Sequence, residues 1–130
     1  MFADAFRRRR AIIPADSYTQ RATSGDDEGR RFTISRVDGN PMAWAGLWES
    51  YVWPDGRIER TFCVITIGAS EQLAPYHDRM PVVLEPDDWP LWLGEVPGDP
   101  AVLLRAPTPG VLRLAPVGTA RRGGGRVRHV

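Results

Sequence analysis

Residues 42–69 read MAWAGLWESYV-WPDG-RIERTFCVITIGA, two apolar-rich runs around the turn Trp53-Pro54-Asp55-Gly56. Pro presets φ at the second position of a tight turn, and Gly tolerates the positive φ that often closes one. The stretch therefore predicts two strands, Met42 to Val52 and Arg57 to Ala69. Gly46 inside the first run marks a bulge or a close backbone approach. Trp44 and Trp48 share one face by the period of two and read as core ahead of stacking on nucleic-acid bases, whereas Trp53 falls on the other face or in the turn. The second run has a continuous apolar centre, which predicts burial on both faces. Cys63 lies in that centre, between Phe62 and Val64. A reactive thiolate needs an electropositive, partly exposed setting, so Cys63 reads as core.

Working outward, each flank also reads as short elements broken by turns. Upstream, residues 2–9 can form a short helix, and Arg10 to Asp16 is a strand ending at Pro14. Residues 21–30 form a polar loop, and Arg31 to Val37 alternates as a half-buried strand does. Asp38-Gly39-Asn40-Pro41 follows, with Asp-Gly as the strongest hairpin signal in the chain. Downstream, Ser70 caps a predicted short helix running to about Tyr76. His77-Asp78-Arg79-Met80-Pro81 leads into a strand at Val82 to Leu84, and Asp87 or Asp88 caps a helix through Leu93. Residues 97–110 read as loop with one helical turn around 100–105, and Val111 to Val117 as a last strand. The pattern is that of an antiparallel-rich α+β domain over residues 1–117. Residues 118–130, with Gly123-Gly124-Gly125 and four Arg, read as a flexible basic tail.

Composition narrows the function classes. The chain has 130 residues, enough for one small domain or part of a larger one. No run approaches the roughly 18 apolar residues of a membrane helix, so no membrane partner is expected. A single cysteine excludes a disulfide framework and zinc sites built on paired cysteines. One Cys and two His favour a reducing, cytoplasmic compartment, and no metal or organic cofactor is implied. All seventeen basic residues are Arg. Residues 1–10 hold four Arg and one Asp, residues 121–130 four Arg and no acid, and residues 11–120 nine Arg against fifteen acids. Both basic ends suit nucleic-acid phosphates or simply solvent.

Few side chains are candidates for chemistry. His77, the one internal histidine, can act as general acid or base, with Asp78 orienting it and Arg79 holding a phosphate. From the pattern alone, a turn histidine satisfied by backbone hydrogen bonds is the commoner reading. Arg7 to Arg10 can bind phosphate or be a solvated helix end. No Walker loop, dinucleotide fingerprint or metal motif occurs.

Four runs together resemble one family: Arg10-Ala11-Ile12-Ile13-Pro14-Ala15-Asp16, Ala43-Trp44-Ala45-Gly46-Leu47-Trp48-Glu49, Thr61-Phe62-Cys63-Val64-Ile65-Thr66, and above all His77-Asp78-Arg79-Met80-Pro81-Val82-Val83-Leu84. In order and spacing they resemble the SOS response-associated peptidase (SRAP) family of abasic-site processing proteins, over about residues 2–94. The resemblance implies a mostly antiparallel sheet curled into a partial barrel with short helices. It implies single-stranded DNA with abasic sites as partner, with localisation near the nucleoid. Family members place a cysteine directly after the initiator Met, and its amine and thiol form a thiazolidine crosslink with the ring-opened abasic sugar. The second residue here is Phe2. The family also has a catalytic Glu in its Pro-Ala-Asp-Gly run, and that position here is Gln20, which cannot exchange a proton at neutral pH. His77 matches the catalytic His and Arg79 a phosphate-contacting position; Arg10, from the basic run Arg7 to Arg10, is a further DNA-binding candidate. Covalent crosslinking by this chain is therefore not expected. A longer parent protein, a non-catalytic DNA-binding relative, and an interaction module are the three readings that remain. The resemblance also implies exposed strand edges, with low stability or association through them.

Overall fold

The computed structural model describes residues 2–118. A short helix α1 (Phe2–Arg8) leads into β1 (Arg10–Ala15) and β2 (Tyr18–Arg21), followed by β3 (Arg31–Arg36), β4 (Met42–Val52), β5 (Ile58–Val64) and β6 (Thr66–Gly68). Then come β7 (Arg79–Pro81), β8 (Val83–Leu84), a 3₁₀ turn at Pro86–Asp88, α2 (Trp89–Leu93), a second 3₁₀ turn at Pro100–Leu103 and β9 (Leu112–Pro116). This is an α+β domain in which the strand pairings among the described residues are antiparallel.

The strands form three sheets: β1-β4-β5 with β8 on the first residues of β4, β2-β3-β9, and a β6-β7 ribbon. No ladder closes them into a barrel among the described residues. Single backbone bonds join the first sheet to the ribbon. Ile65 N–H donates to Ala45 O (2.9 Å), Val82 N–H to Ile65 O (3.0 Å), and Ala45 N–H to Val82 O (3.0 Å).

The core lies on both faces of β4. Met42 and Trp44 face a cluster with Tyr18, Ile34, Leu73, Met80, Val83 and Leu112. Ala43, Ala45 and Leu47 face a second cluster with Ala5, Val82, Leu84, Trp92 and Leu103. Small residues on that second face leave room for Trp92, which is fully buried. Its indole N–H donates to Ala11 O at 2.8 Å, and Phe6 meets it edge-on with ring centroids 5.7 Å apart. Gly46 is needed where β1 and β5 flank β4, because a Cβ there would sit 3.0 Å from Cys63 O and against the Ile13 side chain.

Several expectations are corrected. The strand buried on both faces is β4, not β5. A continuous apolar run cannot distinguish a central strand from an edge strand, and among the described residues β5 pairs only with β4. Cys63 is accordingly exposed rather than core, and Phe62 and Ile58 are more than half exposed. Trp44 is buried as expected, whereas Trp48 is half-buried opposite Phe62. Gly39 takes a positive φ in a turn, but Asp38-Gly39 does not make a hairpin. Strand β3 is already paired on both edges, by β2 and β9, and Pro41 has no N–H to offer a ladder. The chain instead crosses to the first sheet. There the Arg36 guanidinium bridges Asp38 (2.8 Å) and Glu85 (2.9 Å). Residues 71–76 form hydrogen-bonded turns rather than a helix. Ser70 Oγ accepts from Leu73 N at 3.4 Å, but Pro75 removes the donor a further turn would use. The basic tail falls mostly in residues 119–130, outside the described residues.

Candidate functional site

A pocket of about 170 Å³ opens where the second sheet meets the β6-β7 ribbon. Its lining includes Gln20, Trp44, Thr66, His77 and Arg79, over the buried side chains of Tyr18 and Met80. Each element delivers its residue by alternation. On β2, Tyr18 and Gln20 share a face, with Gln20 opposite Phe32 of β3. On β7, Met80 points into the core while Arg79 is exposed.

The turn run 71–76 delivers His77, whose N–H closes it by donating to Leu73 O at 3.0 Å. The Arg79 backbone N–H donates to His77 Nδ1 at 3.1 Å. Nδ1 also lies 3.2 Å from Arg79 O, and the tautomer decides whether it accepts from the N–H or donates to the carbonyl. The backbone meets one ring nitrogen, and the ring lines the pocket. Asp78 Oδ1 lies 3.5 Å from Nδ1, but the carboxylate is 90% exposed and points into solvent rather than clamping the ring.

Arg79 is held by one end. Its Nη2 donates to Thr66 O (2.8 Å) and Thr66 Oγ1 (3.0 Å). Gly68 lies directly opposite Arg79 in the ribbon and offers no side chain to obstruct the guanidinium on its diagonal path to Thr66. Among the described residues no carboxylate lies within ion-pair distance of Arg79. By contrast Arg9, Arg30, Arg36, Arg57 and Arg105 all have one.

Gln20 donates from Nε2 to Arg21 O at 3.3 Å. Burial pushes the Tyr18 hydroxyl well above its ordinary pKa, so it stays protonated. Among the described residues, no three His, Cys, Asp or Glu side chains cluster closely enough to hold a metal ion.

The structure thus brings together Gln20, His77 and Arg79, and it does not bring Arg10 to them. The Arg10 guanidinium donates to the carbonyls of Trp92, Phe6 and Arg7. It also lies 5.7 Å from the Trp92 ring centroid, tying β1 to both helices. Of its neighbours, Arg9 bridges Asp4 and Glu49, while Arg7 and Arg8 are exposed beside Asp4. Cys63 is not among the pocket's lining residues. Sequence reasoning did not single out Thr66 or Tyr18. The short β-prone run Tyr18-Thr19-Gln20-Arg21 was the available signal for β2.

The pocket's lining holds no Asp or Glu, one guanidinium and one imidazole, on an antiparallel α+β scaffold. The family follows from comparison with known proteins. The model of the SOS response associated peptidase (SRAP) family matches residues 1–120, and this chain belongs to that family. The chain is 35% identical over 95 residues to the abasic site processing protein YobE of Bacillus subtilis, covering 73% of this chain and 43% of that protein. It is 32% identical over 93 residues to the abasic site processing protein YedK of Escherichia coli, covering 72% of this chain and 41% of that one. The chain therefore spans less than half the length of these relatives. Among solved structures, a Bordetella bronchiseptica protein superposes with a TM-score of 0.79 at 26% identity, over 91% of this chain and 59% of that one. A Bacteroides thetaiotaomicron protein, at a TM-score of 0.81 and 20% identity, shares the fold over 90% of this chain and 53% of its own.

Proposed function

We propose that this chain recognises abasic sites in single-stranded DNA, as part of a DNA-damage response, and that its described residues supply binding rather than covalent chemistry. The observation that carries the reading is that Gln20 meets His77 and Arg79, distant from it in sequence, in one pocket. Relatives named for abasic-site processing support it. In this reading Arg79, fixed by Thr66 and unpaired with any described carboxylate, takes a backbone phosphate. The His77 ring, which lines the pocket, is the hydrogen-bond partner for the sugar oxygen of the lesion. Gln20 keeps the shape of a carboxylate but neither accepts nor releases a proton, so proton transfer at the site rests on His77 alone. No thiol lines the pocket, which favours recognition without a crosslink. Two assays on the full chain test this. Fluorescence anisotropy should show tighter binding to a single strand carrying an abasic site than to the intact strand. A denaturing gel should show no covalent adduct with the same DNA. Equal affinity for the two strands would remove the lesion specificity, and a gel-stable adduct would overturn the non-covalent reading.

A further inference from the structure

Strand β5 leaves one edge of the first sheet open. Ile65 N–H donates to Ala45 O, and Trp48 N–H to Arg9 O. In an antiparallel ladder the N–H and C=O of one residue point the same way, and successive residues alternate. Leu47, Glu49 and Tyr51 therefore turn their backbone groups toward β5, and their register partners Cys63, Thr61 and Glu59 turn theirs back. Ile58, Arg60 and Phe62 direct theirs away from β4, where no described residue bonds them. Residues 58–63 are all exposed, so no described element covers this edge. The opposite edge is blunted, because Pro14 of β1 has no N–H to offer. Phe62 and Ile58 are 56% and 58% exposed, on one face with Trp48 and Val52 opposite them on β4. An unpaired strand edge beside exposed apolar side chains is a template for another chain.

We propose that β5 pairs with β5 of a second copy of this chain, antiparallel about a two-fold axis at Thr61, to make one continuous sheet. The sequence of β5 is self-complementary in that register and in neither neighbouring one. With the axis at Arg60, two guanidiniums would stand opposite each other, a destabilising like-charge pair. With the axis at Phe62, Ile58 and Glu59 would run past the end of the partner strand. With the axis at Thr61, all 7 residues of β5 pair. Arg60 then stands opposite the partner's Phe62, a cation beside an aromatic ring, and symmetry repeats the contact. Ile58 meets the partner's Val64, Glu59 meets the partner's Cys63, and the two Thr61 side chains meet at the axis as a favourable cross-strand pair. The outward backbone groups of Ile58, Arg60 and Phe62 all find acceptors and donors across the axis. The two-fold closes the assembly at two copies, because it uses up the open edge of each. A single strand edge is a small interface, so the pair forms and dissociates with concentration.

Sedimentation equilibrium of the full chain should show the average mass rising from one chain toward two as concentration increases. A protein still monomeric at about 1 mM, where any tighter Kd would show, would overturn the proposal. Crosslinking reads the register. Thr61 turns its backbone groups to β4, so the two Thr61 form a non-hydrogen-bonded pair with Cα atoms about 4.5 Å apart, within disulfide reach. Thr61→Cys in a Cys63→Ser background should therefore give a two-chain disulfide on mild oxidation. The parental Cys63 should not, because symmetry sets its two copies about 13 Å apart along the strands. No crosslink in the variant, or an equal one in the parent, would overturn the register. Charge supplies the second check. Phe62→Lys should weaken the dimer about tenfold, since a like charge then meets Arg60 at two symmetric places. Phe62→Glu should weaken it far less, because its carboxylate meets the partner's Arg60. Equal weakening by both would mean an unspecific apolar contact and refute the pairing. Neither Thr61 nor Phe62 lines the pocket of Gln20, His77 and Arg79, so this inference and the DNA reading fail separately.

Discussion

Replacing Arg79 by Ala should weaken binding of single-stranded DNA about tenfold and flatten its salt dependence. A hydrogen bond to a charged group contributes about 1.5–3 kcal/mol. Arg79 is exposed, so the lower end applies, and about 1.4 kcal/mol corresponds to a factor of ten. Each phosphate contact on a single strand adds about 0.7 to the slope of log affinity against log salt, so losing one contact should make the slope shallower by about that amount. The substitution is clean in structural terms. The bond from the Arg79 backbone N–H to His77 Nδ1 survives in Ala, and only Thr66 loses donors on its carbonyl and hydroxyl. Arg79→Lys should fall between, since it keeps the charge but not the planar fork. Arg57→Ala is the control. Arg57 sits by the β4-β5 turn, where it lies 3.7 Å from Asp55 and over the Trp53 ring, and its removal should leave the slope unchanged. Fluorescence anisotropy across a salt series measures both quantities. An Arg79→Ala protein with the parental affinity and slope would refute the assignment of Arg79 to phosphate.

Three further outcomes are expected. Gly46→Ala should destabilise the domain by about 1–3 kcal/mol, the usual range for overpacking, because the Cys63 carbonyl 3.0 Å from the new Cβ belongs to a paired strand and cannot yield as the Ile13 side chain can. Urea unfolding with an unchanged midpoint would contradict that geometry. The Arg36 guanidinium beside Asp38, with the Asn40 N–H, holds the Asp38 carboxyl well below the ordinary carboxylate range. A depressed folded-state pKa adds stability that is complete above the unfolded value of about 3.9 and is lost as pH falls toward the folded value. Asp38→Asn should therefore flatten the acid side of the stability profile below about pH 4, and an unaltered acid limb would refute the pairing. Cys63 should react fully with a thiol reagent in the folded protein, since it lies exposed on an edge strand; labelling that requires denaturant would restore it to the core.

Local chemistry was most legible where one signal sufficed. Trp53-Pro54-Asp55-Gly56 joins β4 to β5 as read, with Gly56 at positive φ, and the alternation from Arg31 matches β3. Neighbour choice was not legible. Whether an apolar strand lies at the centre or the edge depends on what pairs with it, so β5 and Cys63 were misplaced together. The Asp38-Gly39 turn was correct as a turn and wrong as a hairpin for the same reason: β3 takes its partners from β2 and β9. Within the site, the resemblance marked Gln20, His77 and Arg79, whereas Thr66 shows its part only once the Arg79 guanidinium is seen to donate to it.

The pocket's geometry follows from core packing, which explains how its chemistry can change while its shape persists. Register in the β6-β7 ribbon pairs Ile67 with Met80, and Met80 is buried with Trp44 and Tyr18. Because strand side chains alternate, burying Met80 forces Arg79 outward toward Thr66. A slip of one residue would expose Met80 and bury a guanidinium, so the hydrophobic effect sets the face that the cation takes, and Thr66 then holds it. Tyr18 acts likewise on β2: its burial against Trp44 sets Gln20, two residues on, on the same face of the pocket. Neither anchor involves Gln20's own functional group, which makes only a 3.3 Å bond to a neighbouring carbonyl. An amide can therefore stand at that position without disturbing the frame, and what changes is the charge of the lining. Fold and chemistry are held by different side chains on the same strands, and the second can diverge while the first is preserved.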